Sequence, residues 1–317
     1  MNVRADGSNG LWGFKPSTKR VPRDGMLGVT AHSRIMGAIG PVCHSKRDMD
    51  LFYRTLFAAP SWKHDIKLVN LGWREVTREG KGAGFDGWSG ESNKLRVGIM
   101  PDDGVVRPVK PIRRAMEATV EKLKSTPGVE AVEFPAKWFE EGWGLSVSAP
   151  SDRSGLSSDE QRKLYYVDGA KKLRDALGDE PMLPLTQWIT AHATTLSREE
   201  VDDLLTQRND LRQRFYDYFN SLNLDVLLCP TGPAPAQPLG TTKYWAYTSM
   251  FNLLDWPGAV FPTGLFVGEK DEEVYLEPKN EDERHLYATC ECEAEEQAVD
   301  SQIRPRLPKD LLSVCRL

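Results

Sequence analysis

The stretch from Lys94 to Phe134 constrains the architecture more than any other part of the chain. Lys94-Leu95-Arg96-Val97-Gly98-Ile99-Met100 reads as a buried strand, closed by the turn residues Pro101-Asp102-Asp103-Gly104. Pro111 then opens a helix that places Ile112, Met116, Val120 and Leu123 on one stripe and stops at Pro127-Gly128. Val129 to Phe134 is the next strand. A strand, a helix of about four turns and a second strand form a βαβ unit, which favours parallel pairing with a right-handed crossover. The chain is therefore expected to be an α/β protein.

Other segments extend that frame. Ser45-Lys46-Arg47-Asp48 is a capping box before a helix whose residues Leu51, Phe52, Leu56 and Phe57 are expected to lie on a sheet. Ser157 with Glu160 and Ser197 with Glu200 are further capping boxes. The second opens a long amphipathic helix with Val201, Leu204, Leu205, Leu211, Phe215, Phe219 and Leu222 inward. Asp225 to Pro230 is an apolar run closed by proline, as in a buried parallel strand. The proline-rich stretch 230–238 is an irregular loop, Tyr247 to Pro257 fits helix or loop, and Gly258 to Pro262 is a short strand. Beyond residue 270 acidic residues crowd the sequence without a long apolar stripe, so residues 271–317 are expected to form a frayed acidic tail on a domain spanning 1–270.

Composition narrows the function. Of the 317 residues, 40% are hydrophobic and nine are tryptophan, which excludes a disordered chain. No run of about 18 apolar residues is present to cross a bilayer. A net charge of -5, without a basic block, argues against nucleic acid as a partner. The five scattered cysteines, with no signal-peptide pattern ahead of them, fit reduced thiols in a cytoplasmic protein. Cys290-x-Cys292 lacks companions to complete a zinc site, and His32, His44, His64, His192 and His285 show no ligand spacing, so neither metal nor cofactor is expected.

Several blocks resemble the amidase-signature hydrolases, and within them the acetamidase or general-amidase branch. They are Asn9-Gly10-Leu11-Trp12-Gly13-Phe14-Lys15-Pro16, Ile39-Gly40-Pro41, the run Val97 to Pro108 with its Asp102-Asp103-Gly104 turn, Asp225 to Pro230, Tyr247 to Pro257, and Phe261-Pro262. Their order along the chain is harder to mimic than any one of them. The resemblance implies a mixed central β-sheet flanked by helices on both faces. It further implies hydrolysis of small carboxamides to carboxylic acid and ammonia by two serines and a lysine. Such a lysine works as a base only when burial keeps it uncharged, because its solution pKa is about 10.4.

By the same resemblance the nucleophile position falls on Asn2, and Arg4 is the arginine that braces the nucleophile turn. An amide nitrogen is a poor nucleophile, and Ser8 has no preceding glycine pair to build an oxyanion hole. The sequence is thus expected to be an N-terminally truncated amidase-signature domain without its Ser-Ser-Lys triad, and inactive as it stands. The alternative is a non-catalytic remnant that binds a small carboxamide or joins another chain, its own copy or a different one, through an open sheet edge. Tyr247, Thr248 and Asn252 are the candidate substrate-binding residues, with Phe251 and Trp256 as apolar wall; the competing role for Tyr247 and Asn252 is to satisfy backbone groups at a buried turn. Lys15 is expected at a strand edge with its ammonium in water. At the other end, the closing strand of the family has no counterpart after Tyr287.

Overall fold

The computed structural model describes residues 10–24, 34–72, 81–82, 85–86, 94–146, 164–191, 193–268, 271–275, 277–299 and 311–316, of which 81–82, 85–86, 146, 291–299 and 311–316 are described as backbone alone. Asn2, Arg4, Ser8, His32, His192 and the Ser157/Glu160 box lie outside these residues. The elements are, in chain order, β1 (Trp12–Lys15), β2 (Val42–Cys43), α1 (Lys46–Ala58), β3 (Lys81–Gly82), β4 (Phe85–Asp86), β5 (Leu95–Ile99), α2 (Lys110–Lys124), β6 (Val129–Glu133) and α3 (Lys137–Ser146). There follow α4 (Lys171–Leu177), α5 (Pro184–Thr190), α6 (Arg198–Ser221), β7 (Val226–Pro230), α7 (Ala246–Leu253), β8 (Gly258–Pro262), α8 (Glu281–Val299) and β9 (Leu311–Arg316). A seven-stranded mixed sheet orders its strands β2-β1-β8-β9-β7-β5-β6. β5 runs parallel to both β6 and β7, and the remaining pairs are antiparallel.

The expected βαβ unit forms, with β5 and β6 parallel. Val97 of β5 stands opposite Ala131 of β6 and Val226 of β7, with α2 packed over the strands. β7 is buried along its whole length and divides its side chains by alternation. Leu227 and Cys229 enter the large core with Phe134, Leu211, Phe215 and Phe219, while Val226 and Leu228 meet Val97 and Met116 under α2. Both faces are covered, which is why this strand reads as an unbroken apolar run. Gly98 permits the close packing, since a Cβ there would lie 2.8 Å from Leu224 Cδ1.

α6 is the long helix of the large core. Its Ser197 side chain accepts from the Glu200 amide, and the Glu200 carboxylate accepts from the Ser197 amide at 2.8 Å. Val201, Leu211, Phe215 and Phe219 are buried, with Leu204, Leu205 and Leu222 at the rim. Ser197→Ala is expected to lower stability by about 1 kcal/mol, because one amide at the helix start loses its acceptor. Urea unfolding measures this, and an unchanged midpoint would remove the cap from the account.

Three expectations are corrected. Lys15 is 1% exposed: β1 lies between β2 and β8 and is not an edge, and Lys15 Nζ donates to the Trp256 carbonyl at 2.8 Å. α1 is rotated from the expected stripe, burying Met49 and Tyr53 while Leu51 and Phe52 face out. Tyr53 fixes that rotation by donating to the Phe14 carbonyl at 3.2 Å and stacking its edge on Phe14. The segment after residue 270 is tied to the body rather than frayed. Arg114 clasps both carboxylate oxygens of Asp271, and buried Glu283 accepts from the Arg107 and Lys279 amides. β9, where no strand was expected, sits between β7 and β8, with Leu312 opposite Pro230 on one side and Phe261 on the other.

Candidate functional site

α7 is the most deeply buried short helix of the described residues; seven of its eight residues are buried. Its angular order explains what each side does. At 100° per residue, Ala246, Met250 and Leu253 share one side, Tyr247, Phe251 and Leu254 a second, and Trp245, Thr248, Ser249 and Asn252 a third. The first side meets α3, where Gly142 leaves room for Met250: a Cβ on residue 142 would fall 2.2 Å from the Met250 sulfur. The second enters the large core, with Phe139 edge-on to Phe251. The helix ends at Asp255, in the left-handed region at φ 56°, with Pro257 shortly after.

Tyr247 belongs to the second side and is fully buried. Its hydroxyl accepts from the Asp103 amide at 3.1 Å and donates to the Val106 carbonyl at 3.3 Å. The Asp103 carboxylate, also fully buried, accepts from the amides of Val105 and Val106 at 3.0 Å and from the Tyr244 hydroxyl at 2.5 Å. Burial pushes the Asp103 carboxyl up to about 7 against the pull of these three donors. Burial likewise raises both tyrosines well above their ordinary range, with the neighbouring Asp103 charge adding to it. Tyr247 therefore clamps the Asp102-Asp103-Gly104 turn to α7, the backbone-satisfying role weighed from sequence.

The third side is different. On a helix otherwise apolar apart from Tyr247, Thr248, Ser249 and Asn252 form one polar strip. Thr248 and Ser249 donate to the carbonyls of Trp245 and Ala246 at 3.1 and 3.4 Å. Each hydroxyl oxygen so oriented keeps lone pairs that can accept from an N–H group. Asn252 Nδ2 donates to the Tyr165 hydroxyl at 3.4 Å, and burial pushes that phenol up to about 12. Hydroxyl acceptors beside an amide that both donates and accepts match the groups of a carboxamide. Thr248 and Asn252 are thus brought together, and Tyr247 is turned away from them.

Sequence reading missed Ser249, Tyr165, Asp103 and Tyr244. Ser249 was legible as a polar residue within the apolar run, and Asp103 in its turn. Tyr165 carried no local signal. Among the described residues no group of histidine, cysteine and carboxylate side chains could hold a metal ion. His285 instead lies with Nε2 2.6 Å from the Thr241 carbonyl.

A family model described as Amidase matches residues 7–284. The chain is 34% identical over 290 residues to an amidase of Schizosaccharomyces pombe, covering 89% of this chain and 49% of that protein. It is 25% identical over 264 residues to an acetamidase of Aspergillus oryzae, covering 80% of this chain and 45% of that protein. Among solved structures, a fatty acid amide hydrolase superposes with a TM-score of 0.78 at 23% identity, over 98% of this chain and 50% of that one. The chain spans about half the length of the curated relatives it matches. The match also corrects the fold assignment. The expected N-terminally truncated fragment is overturned, because the matched domain, residues 7–284, occupies nearly the whole chain.

Proposed function

The chain belongs to the amidase family, and from that premise we propose that it acts on small carboxamides, cleaving the carbon–nitrogen bond to give a carboxylic acid and ammonia. The observation that carries this reading is the polar strip of α7. Thr248 accepts from the amide nitrogen and Asn252 donates to the carbonyl oxygen, so the substrate is held by its carboxamide end. A site built to hydrogen-bond a substrate also rejects analogues that leave its buried polar groups unmatched.

A second reading is binding of the carboxamide without cleavage. The two separate in one experiment, in which the purified protein is mixed with acetamide and assayed for ammonia and, by calorimetry, for binding. Ammonia release supports hydrolysis, and saturable binding without ammonia supports the second reading. Asn252→Leu is expected to weaken acetamide by roughly tenfold under either, as loss of one hydrogen bond to a polar ligand at about 1.4 kcal/mol. Wild-type protein that neither binds nor cleaves acetamide would remove the carboxamide assignment. A reducing cytoplasmic setting, and pairing with another chain along the outer strands β2 or β6, are part of the same proposal.

A further inference from the structure

We infer that the segment 62–71, which follows α1, docks on the surface of an anionic lipid bilayer, with Ile66 at its tip entering the headgroup layer. Trp62, Ile66, Val69 and Leu71 are all exposed, Ile66 to 91%. Apolar residues scattered singly over a surface are ordinary, but four in so short a segment form a face that calls for a partner. The tip is built rather than loose. The Leu68 amide donates to the Asp65 carbonyl at 3.1 Å, which places Ile66 and Lys67 at the two corners of a β-turn. Asp65 is buried beneath it, and its carboxylate accepts from the amides of Lys67 at 3.0 Å and Arg23 at 3.3 Å. Turn corners ordinarily take glycine, proline, asparagine or aspartate, so the turn itself does not ask for an isoleucine beside a lysine.

The rest of the segment is fastened to the body in the same way. The Val69 amide donates to the Lys19 carbonyl at 2.9 Å, and the Arg20 guanidinium donates to the Leu71 carbonyl at 2.8 Å. A surface held in place beforehand loses little freedom on binding. Residues 19–24 therefore run beside the segment, and the two stretches together hold Lys19, Arg20, Arg23, Lys63 and Lys67 against Asp24 and Asp65. Lys67 pairs with Asp24 at 2.9 Å, and both stay exposed. Positive charge thus gathers here on a chain whose net charge is -5. Anionic headgroups complement it, each lysine or arginine near the surface adding roughly fivefold in affinity. Composition favours a bilayer over a protein partner. The cores of protein interfaces are poor in lysine, whereas lysines interleaved with tryptophan and aliphatic residues suit the headgroup boundary, where the stem lies on apolar surface and the ammonium stays in water.

The test is sedimentation of the full chain with vesicles of phosphatidylcholine alone and of phosphatidylcholine mixed with phosphatidylserine. Wild-type protein is expected to sediment with the mixed vesicles and to be released by salt, which screens exposed charges. Ile66→Asp should weaken partitioning roughly 10- to 100-fold, the worth of burying one isoleucine side chain. Lys63→Gln should weaken it by about fivefold on the mixed vesicles and leave binding to phosphatidylcholine alone unchanged. Both residues are exposed, so urea unfolding of each variant is expected to match wild type. Should Ile66→Asp fail to fold, Lys63→Gln and the salt dependence of the wild type decide. Wild type that stays in solution beside the mixed vesicles, or Ile66→Asp that sediments as well as wild type, would overturn the inference. So would a dimer in size-exclusion chromatography that ignores vesicles and falls apart in Ile66→Asp, which would assign the face to a second copy of the chain.

Discussion

Phe215→Ala is expected to lower the unfolding free energy by about 3–5 kcal/mol, the range for truncating a fully buried phenylalanine. Phe215 is 0% exposed and sits where four parts of the fold meet. Its ring lies 4.9 Å from that of Trp256 at 86°, 5.3 Å from that of Phe134 and 6.0 Å from that of Trp138. Removing it withdraws the transfer energy of the ring, opens a cavity against three large side chains, and forfeits the edge-on contacts. Collapse cannot fill the space, because Phe134 is fixed at the end of β6 and Trp256 in the turn that follows α7. Tyr216, the next residue, is 43% exposed and serves as the control: its alanine variant should fall within about 0.5 kcal/mol of wild type. Urea unfolding of both variants decides, and a loss below about 1 kcal/mol for Phe215→Ala would show that this aromatic cluster does not anchor α6 to the sheet.

What the sequence disclosed follows from how locally each feature is encoded. The βαβ unit was legible because β5, α2 and β6 carry their own periodicity and their own stops, and β7 because a strand buried on both faces is apolar throughout. The α6 cap was legible for the same reason. Features fixed by long-range pairing were hidden. Lys15 looks exposed until β8 is placed beside β1, and Leu311 to Arg316 follows an acidic stretch that masks a strand whose partners are distant in sequence, Leu311 pairing with Pro262 and Arg316 with Val226. The rotation of α1 depends on Tyr53 finding Phe14. At the site, Thr248 and Asn252 could be named because they share a helix. Trp143, Trp188 and Trp245 come together only through tertiary packing, and no spacing rule announces them.

The second large effect concerns Asp103. Asp103→Ala is expected to cost about 3–5 kcal/mol, since it leaves the Tyr244 hydroxyl and the amides of Val105 and Val106 buried without their acceptor. Asp103→Asn separates charge from shape, because the amide oxygen can still accept from both backbone N–H groups while its nitrogen donates to Tyr244. The sign of the pH dependence follows from the raised folded value. With the folded carboxyl near 7 and the unfolded one near 3.8, the folded state holds the extra proton between these values. Stability from this group is full below about pH 4, declines as pH rises to about 7, and is constant above, with a total change on the order of a few kcal/mol. Asp271 acts in the opposite sense and in a different window. The Arg114 guanidinium holds its carboxyl below the usual range, so its contribution is present at neutral pH and lost on acidification below about 4. Between pH 4 and 7 the stability difference between wild type and Asp103→Asn should therefore shift steadily against wild type, then level off. Parallel curves for the two proteins across that window would mean that Asp103 stays ionised when buried, and that the Tyr244 and backbone donors outweigh its desolvation. In that case the turn is held by a charged anchor. In the expected case it is held by a neutral acid, and Tyr244 gains a charged partner only as the pH rises past about 7.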